Sequence, residues 1–420
     1  MNAEIKQRIT QLNNGEVPNG YKKTEFGVFP CDWVTDKKLK DLGAFGKGKG
    51  LPGDKMVSEG VPCVGYGDIY MKYNHFHFEE AKTFVDEKTA AESQPIQKGT
   101  LLFTGTGETA EEIGKCVCYN GEETIYAGGD IITFVSDKVD SLFLAYQQYQ
   151  EFSLRKKASF GQGHSVVHIQ RDNLEKLNVA FPESVEEQSK IAEILMKWDE
   201  AIELQEQYIG TLENRKKFLI KKLLTPKGNW SSVKLGNIAE MYAGGTPSTQ
   251  KSEYWGGEIP WIQSGLIQNG YIDIENIDGR ITEQGLKKSS ATWIAKNSVL
   301  VAITGATCAN IAYLRCDATA NQSVISITTN AVDSLFLYFY LQSTRNKLLS
   351  LQNGSAQGGL TLKYLQNFEI MYPELSEQKK IGSVLSNIDM EISMQKDIVL
   401  KLRSQRKALQ QYLLNGIVRV

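Results

Sequence analysis

Glycine-rich loops are the first places where this sequence could hold a cofactor. Phe103-Thr104-Gly105-Thr106-Gly107 fits the F-x-G-x-G loop of adenosylmethionine-dependent methyltransferases. A similar stretch further on, Ile303-Thr304-Gly305-Ala306-Thr307, lacks the second glycine, and no Asn/Asp-Pro-Pro-aromatic tetrapeptide is present to hold a flipped adenine. A strand running into a turn is the better reading. Gly43-Ala44-Phe45-Gly46-Lys47-Gly48-Lys49-Gly50 approaches the Walker A pattern, but Gly50 stands where a Ser or Thr would hold Mg²⁺, and no buried strand precedes it. ATP binding is therefore not expected. What remains is a loop carrying Lys47, Lys49 and Lys55 with exposed backbone N–H groups, suited to following a phosphate backbone.

His75-Phe76-His77 and His164-x-x-x-His168 each offer two metal ligands, yet neither has a third at the usual spacing, so structural or groove-contact histidines are expected. The six cysteines form no C-x-x-C pair, and neither a zinc ribbon nor a disulfide framework is indicated. The runs Arg215-Lys216-Lys217, Lys221-Lys222, Lys227 and Arg403, Arg406-Lys407 are basic; such runs are usually only solvated helix faces, but flanking two globular heads they could also hold DNA or an acidic partner.

The elements that must position these residues follow from bulk and pattern. A chain of 420 residues with 41% hydrophobic and 23% charged residues has the composition of a folded protein of two or three domains. Lys and Arg total 47 against 49 acids, so any nucleic-acid surface must be local rather than global. Met1-Asn2-Ala3-Glu4-Ile5-Lys6 is charged early and leads into no apolar run, so neither a secretory signal nor a membrane span is expected, and a cytoplasmic location is.

Internal repetition is the strongest pattern. Val139-Asp140-Ser141-Leu142-Phe143-Leu144 recurs unchanged at Val332-Asp333-Ser334-Leu335-Phe336-Leu337. Around that anchor Trp33 and Trp230 each precede a Lys-Leu, Pro62-Cys63-Val64 answers Pro260-Trp261-Ile262, and Thr104-Gly105 answers Thr304-Gly305. At the end of each half, Pro182, Glu187-Gln188 and Ile191 match Pro373, Glu377-Gln378 and Ile381, with a constant offset of 190 residues from the Glu-Gln pair onward.

Both of those closing stretches read as long helices. Ile191, Leu195, Trp198, Ile202, Gln205, Ile209 and Leu212, continued by Lys216, Leu219 and Leu223, keep a 4-3 spacing. Ile381, Leu385, Ile388, Ile392, Gln395, Val399 and Leu402, continued by Arg406, Leu409 and Leu413, repeat it with the polar interruptions in the same places. This is the seam of a coiled coil whose two helices share one kind of partner, most simply each other. Gln205 and Gln395 read as alignment devices. Because Thr225-Pro226-Lys227-Gly228-Asn229 leads from the first helix directly into the second globular half, the second helix is expected to return antiparallel. Ser184-x-x-Glu187 predicts a capping box at the first helix, with Glu374 in the matching place at the second.

Within each half, Thr100–Phe103, Ile131–Val135, Ser298–Ile303 and Ser323–Ile327 are predicted strands, and one helix is predicted after each anchor. The expected fold is mixed α/β: two globular domains in pseudo-twofold tandem repeat, separated by a long antiparallel two-helix coiled coil. The expected boundaries are 1–24, an N-terminal helical segment whose Ile5, Ile9 and Leu12 could dock on the coil; 25–183; 184–224, the first spacer helix; 225–373; and 374–415, the second.

On these residues the sequence resembles the specificity subunit of type I restriction-modification enzymes over nearly its whole length. The resemblance rests on the two Pro…Glu-Gln…Ile helix starts, on Gly244-Gly245-Thr246-Pro247-Ser248…Tyr254-Trp255-Gly256-Gly257…Ile259-Pro260-Trp261, and on Asn321-Gln322 and Gly358-Gly359-Leu360. Gly48-Lys49-Gly50 and Tyr66-Gly67-Asp68-Ile69-Tyr70 resemble a second type of target-recognition domain, so the halves are expected to read different sequences.

The resemblance implies a non-catalytic reader of double-stranded DNA with a bipartite target and an unread gap set by the coil. Two modification subunits would dock on the helices and methylate one adenine per half-site with adenosylmethionine; restriction subunits would add translocation and cleavage driven by ATP and Mg²⁺. No cofactor or metal is expected in this chain. Candidate DNA contacts are Lys47, Lys49, Lys55, Tyr66, Tyr70, Gln162, His164, Gly244, Gly245, Thr246, Ser248, Gln322 and Gln357. The rival readings are a free-standing DNA methyltransferase, which would turn over adenosylmethionine without a partner, and a coiled-coil protein scaffold, whose binding would lack the steep salt dependence of phosphate contacts.

Overall fold

Five short strands, most of them apolar on both faces, build the same sheet twice. The structure, a computed structural model of the chain, describes residues 3–51, 53–73, 76–163, 166–350 and 359–420. The chain divides into two compact units, Met1–Gln205 with Val399–Val420, and Glu206–Ile398.

In the first unit the main sheet runs in the order Gly43–Lys47, Ile131–Ser136, Thr100–Thr104, Cys116–Tyr119 and His77–Phe78. The first three joins are antiparallel and the last is parallel. The central strand Thr100–Thr104 is buried at every position, which explains why it reads as a continuous apolar run rather than an alternation. The second unit repeats this order and these directions with Glu240–Ala243, Val324–Thr328, Val299–Ala302, Ile311–Leu314 and Tyr271–Ile272. Each unit adds a second sheet, in which Val61–Val64 or Trp255–Ile262 runs parallel to one neighbour, Ile125–Ala127 or Thr319–Ala320, and antiparallel to the other, Thr83–Val85 or Arg280–Ile281.

The repeated hexapeptide starts a helix at the same place in each unit. Asp140 and Asp333 are N-caps, their side chains accepting from Phe143 N and Phe336 N. Phe143 and Phe336 then meet Trp33 and Trp230 edge-on, with ring centroids 6.3 and 5.8 Å apart. The single helix predicted after each anchor is two: Ser141–Gln147 then Glu151–Phe160, and Ser334–Ser343 then Arg345–Ser350. In the second unit the Thr344 hydroxyl donates to the Tyr340 and Leu341 carbonyls and ends the first piece.

Two 40-residue helices, Val185–Leu224 and Leu375–Leu414, cross from one unit to the other. Within each unit their pairing is antiparallel. In the first, Arg419, just past the second helix, pairs with Glu187 at 2.5 Å, and Arg406 pairs with Asp199 at 2.8 Å. In the second, Lys227 pairs with Glu377 at 3.5 Å and Lys216 with Asp389 at 2.5 Å. The predicted seam is buried at Ile191, Leu195, Ile202, Ile209 and Leu212 and at Ile381, Leu385, Ile388, Ile392 and Val399. Trp198, Gln205, Gln395 and Leu402 are half-buried.

Three local expectations are corrected. Only half of the capping box forms: Ser184 Oγ accepts the Glu187 N–H at 3.3 Å, but Glu187's carboxylate is held by Arg419. The Thr-Gly pairs are not equivalent. Thr104 N donates to Lys115 O as Ala302 N donates to Asn310 O, so Thr104 matches Ala302, two residues before Thr304. Residues 21–24 are a strand, Tyr21–Thr24, hairpinned with Gly27–Pro30. The helix Ala3–Asn13 ahead of it has Ile5, Ile9 and Leu12 half-buried, and Arg8 donates to Ile417 O beyond the second long helix. No helix among the described residues is long and apolar enough to cross a membrane.

Candidate nucleic-acid interface

Strand register places the candidate loops at one end of each main sheet. In the first unit Lys47 lies opposite Ile132, Thr104 opposite Ile131 and Phe103 opposite Cys116, so the segments 48–55, 105–115 and 128–130 all leave from that end. The other end leads through Ser136 to Asp140, where the first long helix is fastened. In the second unit Ala243 faces Ile325, Ala302 faces Val324 and Val301 faces Ile311, and the segments 244–254, 303–310 and 321–323 leave in the same way.

The glycines of Gly244-Gly245-Thr246-Pro247-Ser248 serve close packing. Gly244 N donates to Val324 O at 2.9 Å and Gly245 N to Ala320 O at 2.8 Å. A Cβ at either position would overlap backbone, that of Ala320 and Asn321 or that of Ser290 and Ala291. Trp261 Nε1 donates to Gly245 O at 2.9 Å and Trp255 Nε1 to Ser248 O at 3.1 Å, with the two indoles edge-on at 4.9 Å. The Tyr-Trp-Gly-Gly…Trp segment is therefore the support of this loop. Beyond the glycines, Thr246 Oγ1 donates to Oε1 of the exposed Gln322, and Ser248 is exposed.

The first unit has the same framework with different side chains. Gly48 N donates to Ile131 O at 2.8 Å and Lys49 N to Ala127 O at 3.0 Å, matching Gly244 and Gly245; Gly129 N donates to Gly50 O at 3.2 Å. Gly50 and Gly129 thus stand where the second unit has Thr246 and Gln322. The expected loop of free N–H groups is corrected here. Gly43–Lys47 is a paired strand, and the Gly48 and Lys49 amides are taken by neighbouring carbonyls. The side chains of Lys47, Lys49 and Lys55 are exposed.

The aromatic pair divides. Tyr66 is 42% exposed, whereas Tyr70 is a brace: its hydroxyl bonds Thr104 Oγ1 at 2.8 Å and donates to the carbonyls of Thr106 and Glu112. Burial raises its pKa. Gln162 exchanges both backbone hydrogen bonds with His168, whose Nδ1 lies 3.2 Å from Thr106 Oγ1. His75, His164 and Gln357 lie outside the described residues. In the F-x-G-x-G segment Gly105 N donates to Asp130 O and Gly105 O accepts from Ile169 N, so its backbone is spent within the fold. Among the described residues no three His, Cys, Asp or Glu side chains gather to hold a metal.

One feature escaped sequence reasoning because three distant segments build it. A groove of about 1120 Å³ in the first unit is bounded by the helix Tyr66–Met71, the segment 106–113 and the helix Glu151–Phe160. Lys115 lies on its wall, with Nζ 5.7 Å from the Tyr70 ring centroid, and burial holds its ammonium below the ordinary lysine pKa. Lys157 is wholly buried; it donates to Gly114 O at 2.9 Å, and burial lowers its pKa to about 8. Only helix periodicity at Leu154 and Lys157 hinted that this lysine turns inward.

Comparison with known proteins agrees with this duplicated architecture. The sequence pattern of the type I restriction modification DNA specificity domain matches residues 30–214 and again 227–402. The MjaIX type I restriction enzyme specificity subunit of Methanocaldococcus jannaschii is 36% identical over 166 residues, 38% of each chain, so that match spans well under half of the relative's length. The putative MjaX specificity subunit of the same organism is 25% identical over 436 aligned positions, covering 95% of this chain and 97% of the relative. Among solved structures, the S subunit of a type I restriction-modification system from M. genitalium shares the fold with a TM-score of 0.64 at 16% identity, over 95% of this chain and 97% of that one.

Proposed function

The chain belongs to the type I restriction-modification DNA specificity family, and on that footing we propose that it is the non-catalytic subunit that selects the DNA sequence. Each unit reads one short half-site of a duplex target. The gap between half-sites is unread, its length following that of the paired helices. Modification subunits that carry the adenine methyltransferase chemistry and its adenosylmethionine dock on this chain, as do restriction subunits that carry ATP- and Mg²⁺-dependent translocation and cleavage. The proposed domains are 25–183 and 225–373 as readers and 184–224 and 374–415 as spacer helices, and the proposed site of action is the cytoplasm.

The observation that carries this reading is one framework with two sets of side chains. Backbone hydrogen bonds at Gly48, Lys49 and Gly128 are reproduced at Gly244, Gly245 and Asn321, while the outward groups change from Lys47, Lys49, Gly50 and Gly129 to Thr246, Ser248 and Gln322. A scaffold that only joins proteins has no need of two different faces on matched supports. Lysines contact phosphates and hold the protein in place without specifying sequence, whereas Thr and Gln can discriminate base edges.

The test is methylome sequencing of cells that express the chain with its methyltransferase partner. The expected product is a bipartite motif with a fixed unread gap and one methylated adenine in each half. Methylation by the purified chain alone would overturn the proposal.

A further inference from the structure

We propose that the groove beside Tyr66 reads the edge of one G·C base pair in the half-site of the first unit, with Lys115 donating to guanine and Glu112 accepting from the cytosine amine. This rests on the specificity-subunit reading and deepens it by naming readers that lie outside the glycine-rich loops.

The chemistry of the walls selects the ligand. Lys115 and Glu112 line the same groove and are electrostatically coupled, and Glu108 and Glu111 add negative charge beside them. Three carboxylates repel a phosphate, so the groove is unsuited to following the backbone. A base-pair edge offers acceptors and donors side by side. Lysine pairs with guanine O6 and N7, and a carboxylate pairs with cytosine N4.

The rim points the same way. Tyr66, Met71 and Val166 are 42%, 81% and 47% exposed, and all three border this groove. Apolar side chains gathered at the mouth of a charged cleft are otherwise costly surface; here they would lie against sugars or thymine methyl groups. Lys115 is also held ready. It follows Gly114 at the start of the strand Cys116–Tyr119, its ammonium lies over the Tyr70 ring, and Tyr70 is fixed by three hydrogen bonds. Below it Lys157 has no carboxylate partner among the described residues, so its charge adds to the positive potential at the groove floor.

The experiment compares Lys115→Met and Glu112→Gln with the unaltered chain, each in the assembled methyltransferase complex, by methylome sequencing and by DNA binding at several salt concentrations. Both variants should lose discrimination at one G·C position of one half-site, roughly tenfold to a hundredfold, with the other half-site, the gap and the salt slope retained. Glu112 is exposed, so Glu112→Gln answers the question even if Lys115→Met impairs folding. An unchanged motif in the folded Glu112→Gln complex would overturn the inference. So would a uniform loss of affinity on all sequences with a shallower salt slope, which marks a phosphate contact. If the unaltered complex gave no bipartite motif, the specificity-subunit reading itself would fail instead.

Discussion

Gln188 Oε1 accepts the backbone N–H of Asp140 at 2.8 Å while its Nε2 donates to Pro182 O at 2.7 Å, and Gln378 does the same between Asp333 and Pro373, each bond at 2.8 Å. The Glu-Gln repeat and the hexapeptide repeat are thus two sides of one joint. In each unit a buried glutamine fastens the start of a long helix to the N-cap of the core helix. Leu cannot replace it, because a half-buried N–H and a buried carbonyl would both lose their partner.

Gln188→Leu should therefore cost about 2–3 kcal/mol, and Gln188→Glu about as much, since a carboxylate cannot donate to Pro182 O. Urea unfolding gives the total, and amide exchange at Asp140 and Phe143 locates it. Unchanged protection at those amides would show that the joint contributes nothing.

Asp199 and Arg406 form a buried pair at 2.8 Å, with Tyr146 donating to Asp199 Oδ2 at 2.8 Å. The counterpart Lys216–Asp389 pair is partly solvated. Asp199→Asn should cost about 3–5 kcal/mol by stranding a buried guanidinium, and the double change Asp199→Leu/Arg406→Met should recover most of it. Lys216→Met should cost about 1 kcal/mol or less. Equal losses at the two pairs in thermal unfolding would contradict this ranking.

Lys157 supplies a pH test. Its folded-state pKa of about 8 lies below the ordinary value of 10.5 because burial penalises the charge. The folded state therefore releases this proton first, so stability should rise as pH increases from about 8 toward 10.5, by up to about 3 kcal/mol. Lys157→Met removes that rise and should stabilise the protein at pH 7 by about 2 kcal/mol after the lost Gly114 hydrogen bond. The difference between the two proteins, followed by urea unfolding at pH 7 and pH 10, isolates this lysine; a constant difference would exclude it.

Replacing Lys47, Lys49 and Lys55 together with Ala should weaken binding to every duplex alike and reduce the salt slope by up to about 3. Loss at a single base would mean that one of these lysines reads sequence. An unchanged slope in the salt titration would remove them from the interface.

How much of this was legible follows from what each feature depends on. The helical seam was readable because Ile191, Leu195 and Ile202 report a local period that tertiary context cannot hide. The joint was half readable: Gln188 and Asp140 each repeated, but nothing in sequence says that residues 48 positions apart share a hydrogen bond. The match of Thr104 with Thr304 failed because register is set by cross-strand amides while loop lengths differ between the units. The Gly48-Lys49 amides were misjudged because glycine marks a close backbone approach as readily as a free loop. Lys115, Glu112 and Tyr66 converge only once the sheet is built.

The central claim is that the two units read their half-sites independently. Methylome sequencing of cells expressing a chimaera, in which residues 230–373 come from another family member and both long helices are kept, tests it most directly. The account predicts that one half of the methylated motif changes while the other half and the gap stay as they were. A folded, active chimaera that altered both halves would contradict it.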